Sequence, residues 1–125
     1  MSGADSSERR AELEREHREH PPAAGVFAVR CSANGKVAVG SAMNVQGAIN
    51  RIQFELRGGL HRTFRGLQED AALHGLQSFG YEILDVLEPP KDASVDLREE
   101  LKVLEALWLE RLQPFGAAGY NQRKP

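Results

Sequence analysis

An Asn-Gly pair at residues 34–35 separates two short runs that are rich in β-forming residues. Apolar and polar side chains alternate loosely in residues 25–30 and again in residues 36–41. An Asn-Gly pair between two such runs favours a tight β-hairpin, because both central turn positions need a positive φ angle that these residues tolerate. The folded part of the chain is therefore predicted to begin with a two-stranded antiparallel hairpin.

Two helices are predicted directly after the hairpin. Residues 45–56 have apolar side chains at helical spacing, with Asn44 as the predicted N-cap and Gly58-Gly59 as the stop. A second helix is predicted over about residues 65–74, where Gly75 ends it.

A third strand and a long helix complete the predicted elements. Residues 79–87 alternate in the manner of a strand, and Pro89-Pro90 ends them. The helix is predicted from Asp96, a capping residue, to about Leu112. Its apolar stripe is predicted to contain Leu97, Leu101, Leu104, either Leu107 or Trp108, and Leu112.

Short motifs accompany this order of elements. They are Gly25-Val26-Phe27, Lys36-Val37-Ala38-Val39-Gly40-Ser41, Leu67-Gln68, Glu105 three residues before Trp108, and Gly119-Tyr120-Asn121. In their order and spacing they resemble the GIY-YIG nuclease family over about residues 25–121. The resemblance implies an α/β domain of the α+β type, in which helices flank a small three-stranded antiparallel sheet.

The resemblance also implies a chemistry. GIY-YIG enzymes hydrolyse phosphodiesters with one divalent metal ion held by a glutamate, and an arginine steadies the phosphate. His61, Glu105 and Asn121 stand at retained family positions, and Glu105 is the expected ligand of one Mg²⁺ or Mn²⁺ ion. Without the resemblance, Glu105 would be interpreted as an ordinary solvated residue at the rim of its helix. Asn121 either supports the active site or satisfies its own backbone.

Other family positions are degenerate. Phe27 and Ala38 stand where the family has its two motif tyrosines, and Ala48 stands at the family's arginine position, although it also fits the apolar stripe of its helix. A displacement to Arg51 is expected to turn the arginine side chain elsewhere on the helix. A general base contributes roughly 10²- to 10⁴-fold to a rate and a positioned charge about 10²- to 10³-fold. The resemblance therefore implies impaired catalysis.

Charge gives a mixed indication of nucleic-acid binding. The chain has a formal net charge of −2, and residues 21–125 contain equal numbers of acidic and basic side chains. The strongly basic composition of many nucleic-acid-binding domains is therefore absent. Residues 51–65 nevertheless contain Arg51, Arg57, Arg62, Arg65 and His61 against one acid, Glu55. This stretch is either a local nucleic-acid-binding patch or an ordinary solvated surface.

Residues 1–22 are predicted to form a charged tail, flexible or helical, and residues 23–125 to form the domain. The tail mixes acids with arginines and has too few apolar side chains to bury a face, so it is a candidate docking segment for a protein partner. The sequence contains neither an apolar run that would span a membrane nor a secretory signal, which indicates a cytoplasmic protein. The single cysteine, Cys31, is expected to be a packing residue.

Three functions remain open. The favoured interpretation is a catalytically impaired nuclease-like module that binds DNA, RNA or a partner. The second is an active divalent-metal-dependent endonuclease, in which His61 or Tyr81 transfers the proton and Arg51, Arg57 or Arg62 contacts the phosphate. The third is a protein-interaction domain without a nucleic-acid role.

Overall fold

The computed structural model describes residues 22–123, so the predicted N-terminal tail lies almost entirely outside the described residues. The elements are β1 (Ala24–Cys31), β2 (Val37–Ala42), α1 (Val45–Gly58), α2 (Leu67–His74), β3 (Phe79–Leu87) and α3 (Leu97–Leu112). Short 3₁₀ helices cover Leu76–Ser78 and Gly116–Ala118. Within residues 22–123, no helix combines the length and the apolar character that a membrane crossing requires.

The three strands form one antiparallel sheet with β1 in the middle. The hairpin prediction is confirmed, but the turn is not the tight two-residue type: the connection covers residues 32–36, and only Gly35 of the Asn-Gly pair has a positive φ, 76°. The Lys36 N–H donates a 2.9 Å hydrogen bond to Asn34 Oδ1. Because β1 separates β2 from β3, both outer strands are edges of the sheet.

Both faces of the sheet are covered, which explains why the apolar alternation in β1 is loose. Phe27 and Val29 point into a core formed with α1 and α2, whereas Val26 and Ala28 pack against α3. A central strand that is buried on both sides needs apolar residues at nearly every position.

The predicted helices are confirmed, with small differences in their extent. The Asn44 side chain accepts a hydrogen bond from the Gly47 N–H at the start of α1, and Gly59 closes this helix in the left-handed conformation. Helix α2 begins two residues later than predicted, after Gly66, whose φ of 89° is not helical. On α3 the stripe contains Trp108, whereas Leu107 is 57% exposed.

Residues 119–121, after α3, form hydrogen bonds with the outer edge of β2. The Tyr120 N–H donates to the Val37 carbonyl at 3.0 Å. The Asn121 side chain then bonds both backbone groups of Val39: Nδ2 donates to the carbonyl oxygen and Oδ1 accepts from the N–H, each at 2.8 Å. Gly119 is required here, since a Cβ atom at this position would lie 2.2 Å from the Pro114 carbonyl oxygen.

A second set of hydrogen bonds connects Tyr120 to α2 and α2 to the hairpin turn. The buried Tyr120 hydroxyl donates a 2.7 Å hydrogen bond to Asp70 Oδ2, and Asn34 Nδ2 donates to the same oxygen at 2.9 Å. Burial alone would raise the pKa of Asp70, but the hydrogen bonds from Tyr120 and Asn34 outweigh it and lower the pKa. Burial, reinforced by the bond to Asp70, raises the pKa of the Tyr120 hydroxyl.

Tyr120→Phe is expected to lower the free energy of unfolding by about 1.5–3 kcal/mol at pH 7, because it removes a hydrogen bond to a carboxylate. The carboxylate form of Asp70 is favoured in the folded state, so this contribution is present above the unfolded pKa near 3.8 and is lost as the pH falls through the lower folded pKa. Urea denaturation at pH 7 and near pH 3 measures both effects. Tyr81→Phe is the control, since the Tyr81 hydroxyl has no hydrogen-bond partner among residues 22–123; an equal loss of stability in both variants would contradict the assignment.

Asn121→Asp is expected to destabilise the protein nearly as much as Asn121→Ala, by about 1–3 kcal/mol. The aspartate keeps the size of the side chain, but its second oxygen would face the Val39 carbonyl oxygen instead of donating to it. Chemical denaturation measures the loss, and hydrogen exchange of the Val39 amide reports whether the edge strand opens locally. If the Val39 amide is protected from exchange as well in Asn121→Ala as in the wild-type protein, the hydrogen bonds of the Asn121 side chain are not what holds β2 in place.

Candidate active site

A groove of about 370 Å³ lies along the β2 edge of the sheet, between α1 and α3. Its lining includes Phe27, Gly40, Ser41, Ala48, Arg51, Glu55, Thr63, Phe64, Glu105 and Asn121. Four positions singled out from the sequence, Phe27, Ala48, Glu105 and Asn121, therefore meet in one place although they are far apart along the chain.

The floor of the groove is aromatic. Phe27 and Phe64 meet edge to face with ring centroids 6.3 Å apart. A Cβ atom on Gly40 would lie 2.7 Å from Phe27 Cζ, so only glycine at this position leaves room for the ring. Phe27 Cζ is where a tyrosine would carry its hydroxyl. Ala38, the other position at which the resemblance leads us to expect a tyrosine, is fully buried in the core on the α1 side of the sheet.

Glu105 reaches the groove from α3, and Ser41 at the end of β2 donates its hydroxyl hydrogen to Glu105 Oε2. Glu105 also borders a second groove of about 610 Å³, which Arg98 and Lys102 help to line. Among residues 22–123, no three His, Cys, Asp or Glu side chains are grouped closely enough to form a metal cage. One carboxylate beside a hydroxyl fits Mg²⁺, which usually takes one or two carboxylates and completes its shell with waters and phosphate oxygens.

The structure corrects the expectation for Arg51. It was predicted to face elsewhere on the helix, which is wrong: Arg51 lines the same groove as Ala48. Three residues correspond to nearly one helical turn, so the two side chains project from neighbouring positions on one side of α1. Arg51 Nε–H donates a 3.2 Å hydrogen bond to Glu55 Oε2, and the Arg51 side chain is 80% exposed.

His61 is buried behind the groove rather than in its lining. Its Nε2 accepts the Phe64 N–H at 3.1 Å, which assigns the ring proton to Nδ1, 2.9 Å from Glu55 Oε1. Both ring nitrogens are therefore engaged. The hydrogen bond from His61 lowers the pKa of Glu55; burial opposes this shift, and Arg51 adds to it.

The remaining predicted arginines do not form one patch with Arg51. Arg62 and Arg65 line a neighbouring depression of about 370 Å³ beyond Phe64. Arg57 lies on the other flank of α1, in a depression of about 240 Å³ with Tyr81. Burial raises the pKa of the Tyr81 hydroxyl, which Arg57 partly offsets.

Sequence reasoning missed Glu55 and Thr63 as lining residues and missed the bond from Ser41 to Glu105. The spacing of Arg51 and Glu55 predicts their pairing, because residues four apart are neighbours on a helix. Thr63 lies in the irregular segment between α1 and α2, where no periodicity predicts its direction.

Comparisons with known proteins identify the fold. No protein-family model matches this chain, and no curated protein matches it in sequence. Among solved structures, the catalytic domain of the homing endonuclease I-TevI superimposes with a TM-score of 0.62 and 28% identity, covering 81% of this chain and 99% of that domain. A point mutant of the catalytic domain of intron endonuclease I-TevI gives a TM-score of 0.62 and 25% identity, covering 79% of this chain and 92% of that one. The antiparallel sheet, the helices around it and these two similarities together show that the chain has a GIY-YIG-like nuclease fold.

Proposed function

We propose that this domain is a nuclease-like module that binds a nucleic-acid phosphate in the groove between α1, β2 and α3 and cleaves it slowly at most. The observation that carries the proposal is the meeting of Glu105 and Arg51 in one groove, above a floor of phenylalanines, on a GIY-YIG-like fold.

Glu105 is the proposed ligand of one Mg²⁺ or Mn²⁺ ion. GIY-YIG nucleases generally depend on a divalent metal. When bound, the cation would supply Lewis-acid stabilisation of charge on the phosphate. Ser41 donates to one carboxylate oxygen of Glu105 and so orients the group, while the other oxygen has no hydrogen-bond partner among residues 22–123.

Arg51 is the proposed phosphate contact. Its bond to Glu55 uses the Nε–H group, so the terminal guanidinium nitrogens remain available to donate to phosphate oxygens. Glu55 is fixed in turn by the buried His61. His61 is thus proposed to act through Glu55 on the placement of Arg51, not on the substrate.

Slow cleavage follows from the proton-transfer groups available in the groove. Of the described residues that line it, none is a tyrosine or a histidine. Glu55 is a weak proton acceptor because its pKa is lowered and both of its oxygens already accept hydrogen bonds. The lack of a general base alone lowers the cleavage rate by roughly 10²- to 10⁴-fold.

An active endonuclease is the second candidate, and the position of Arg51 favours it. The arginine is displaced by about one turn of α1 but stays in the groove. The proton-transfer groups expected for this candidate fit less well, because His61 is buried and Tyr81 lines a different depression.

Arg51→Ala is expected to weaken binding of a labelled oligonucleotide by about 10- to 100-fold, because a charge-assisted hydrogen bond to phosphate contributes about 1.5–3 kcal/mol. The slope of log affinity against log salt should also fall by about 0.7 for single strands. Fluorescence anisotropy across a salt series at constant Mg²⁺ measures both. Lys91→Ala, an exposed cation outside the groove, should bind like wild type. Absence of salt-dependent binding by the wild-type protein at low ionic strength would overturn the proposal.

Phe27→Tyr is expected to raise Mg²⁺- or Mn²⁺-dependent cleavage by about 100-fold, the lower end of what a general acid–base group contributes, because it supplies a hydroxyl at the groove floor. A time course on plasmid, single-stranded DNA and RNA measures the rate. Glu105→Ala in the same background should abolish the gain, and Glu100→Ala, an exposed acid on α3, should not. Cleavage that survives Glu105→Ala would show that the groove is not its source.

A further inference from the structure

The outer face of α1 carries an exposed aromatic ring between two arginines. Phe54 is 63% exposed. At about 100° per residue, it projects roughly opposite the buried residues of the helix, which are Val45, Ile49, Ile52 and Leu56. Arg51 and Arg57 lie three residues before and after it, which places them about 60° to either side of the ring.

The charged residues that are exposed on the outer face of α1 are all basic. The exposed residues of α1 are Gln46, Asn50, Arg51, Phe54, Arg57 and Gly58, none of which is acidic. The one acid of the helix, Glu55, lies at the rim of the groove and accepts hydrogen bonds from Arg51 and His61. A ligand on the outer face of α1 therefore meets an apolar ring and two cations.

We propose that Phe54 stacks on an unpaired base of a single-stranded nucleic acid, while Arg51 and Arg57 contact the flanking phosphates. The inference rests on the proposed function and names its substrate class. Aromatic rings interleaved with basic side chains are the usual platform for single strands, because every base has a face that stacks and every linkage has a charge.

The outer face of α1 is continuous with the groove. Arg51 belongs to both, since it flanks Phe54 and lines the groove that contains Glu105. On the far side, Arg57 shares a depression with Tyr81, a second ring along the same path. A base-paired duplex cannot use Phe54 in this way, because its bases are already stacked on one another.

The experiment compares two fluorescent oligonucleotides, a single-stranded 15-mer of thymidines and the same strand with abasic sites at its centre. Anisotropy titrations use the full chain in Mg²⁺ before cleavage is measurable. Phe54→Ala is expected to weaken binding of the intact strand about tenfold and to leave the abasic strand unaffected. Phe54→Tyr should restore binding because it keeps the ring. Leu73→Ala, which removes an exposed apolar side chain from α2, should match wild type.

The salt dependence separates the ring from the arginines. Phe54→Ala should leave the salt slope unchanged, because a phenyl ring releases no counterions, whereas Arg57→Ala should lower it by about 0.7. The stacking role would be overturned if Phe54→Ala binds the intact strand as tightly as the wild-type protein does. It would also be overturned if Phe54→Ala weakens binding of both strands equally.

Other outcomes distinguish this inference from the proposed function. If Arg51→Ala weakens binding while Phe54→Ala does not, the groove binds nucleic acid and the outer face of α1 does not contribute. If the wild-type protein binds neither strand nor a duplex, the proposed function fails and the inference with it. Self-association that Phe54→Ala removes, with strand binding unchanged, would assign the ring to a contact between two copies of the chain.

Discussion

The contact between Asn121 and the backbone of Val39 is the interaction on which the groove depends. Strand β2 is an edge of the sheet, so its outer N–H and C=O groups need partners from outside the sheet or from water. The Asn121 amide supplies both partners at one residue. The next two residues of β2 are Gly40, which leaves room for Phe27, and Ser41, which holds Glu105. Residues 119–121 therefore fix the strand that supplies Gly40 and Ser41 to the groove, and Asn121 has this structural role.

The elements that the sequence predicts are those with a local physical cause. The Asn34-Gly35 turn, the Asn44 cap and the Gly59 stop act within a few residues, and all three are present. The choice between Leu107 and Trp108 stayed open because both fit the helical period. Packing against the sheet decides it, together with the weak 3.4 Å contact from Trp108 Nε1 to Asp85. The extent of α2 was overestimated because residues 65–66 have no periodic pattern of their own.

The site is less predictable because its geometry is set by contacts between distant parts of the chain. The sequence places His61 at a family position but cannot show that the Phe64 N–H occupies its Nε2. The arginines of residues 51–65 look like one patch, yet α1 and the turn after it distribute them over three depressions. For Arg51 the error was one of helical geometry, since a shift of three residues returns the side chain to nearly the same direction. At residue 27, in contrast, the packing does not require a hydroxyl, because the phenyl ring of Phe27 packs edge to face on Phe64.

The formal neutrality of residues 21–125 does not exclude binding to a polyanion. At physiological ionic strength, exposed charges more than about 8 Å apart are largely screened from one another. A phosphate near α1 therefore responds mainly to the charges of α1 and of the groove, not to acids elsewhere on the surface. Near Phe54 those local charges are the two cations Arg51 and Arg57 and one acid, Glu55, which is hydrogen-bonded to Arg51. In the groove, Glu55 offsets Arg51 and Glu105 adds a negative charge, so phosphate binding there needs a divalent cation to reverse the sign. In the proposed function the groove and the outer face of α1 would therefore be complementary: Glu105 would hold a cation that attracts a phosphate, and the arginines beside Phe54 would contact the strand next to it.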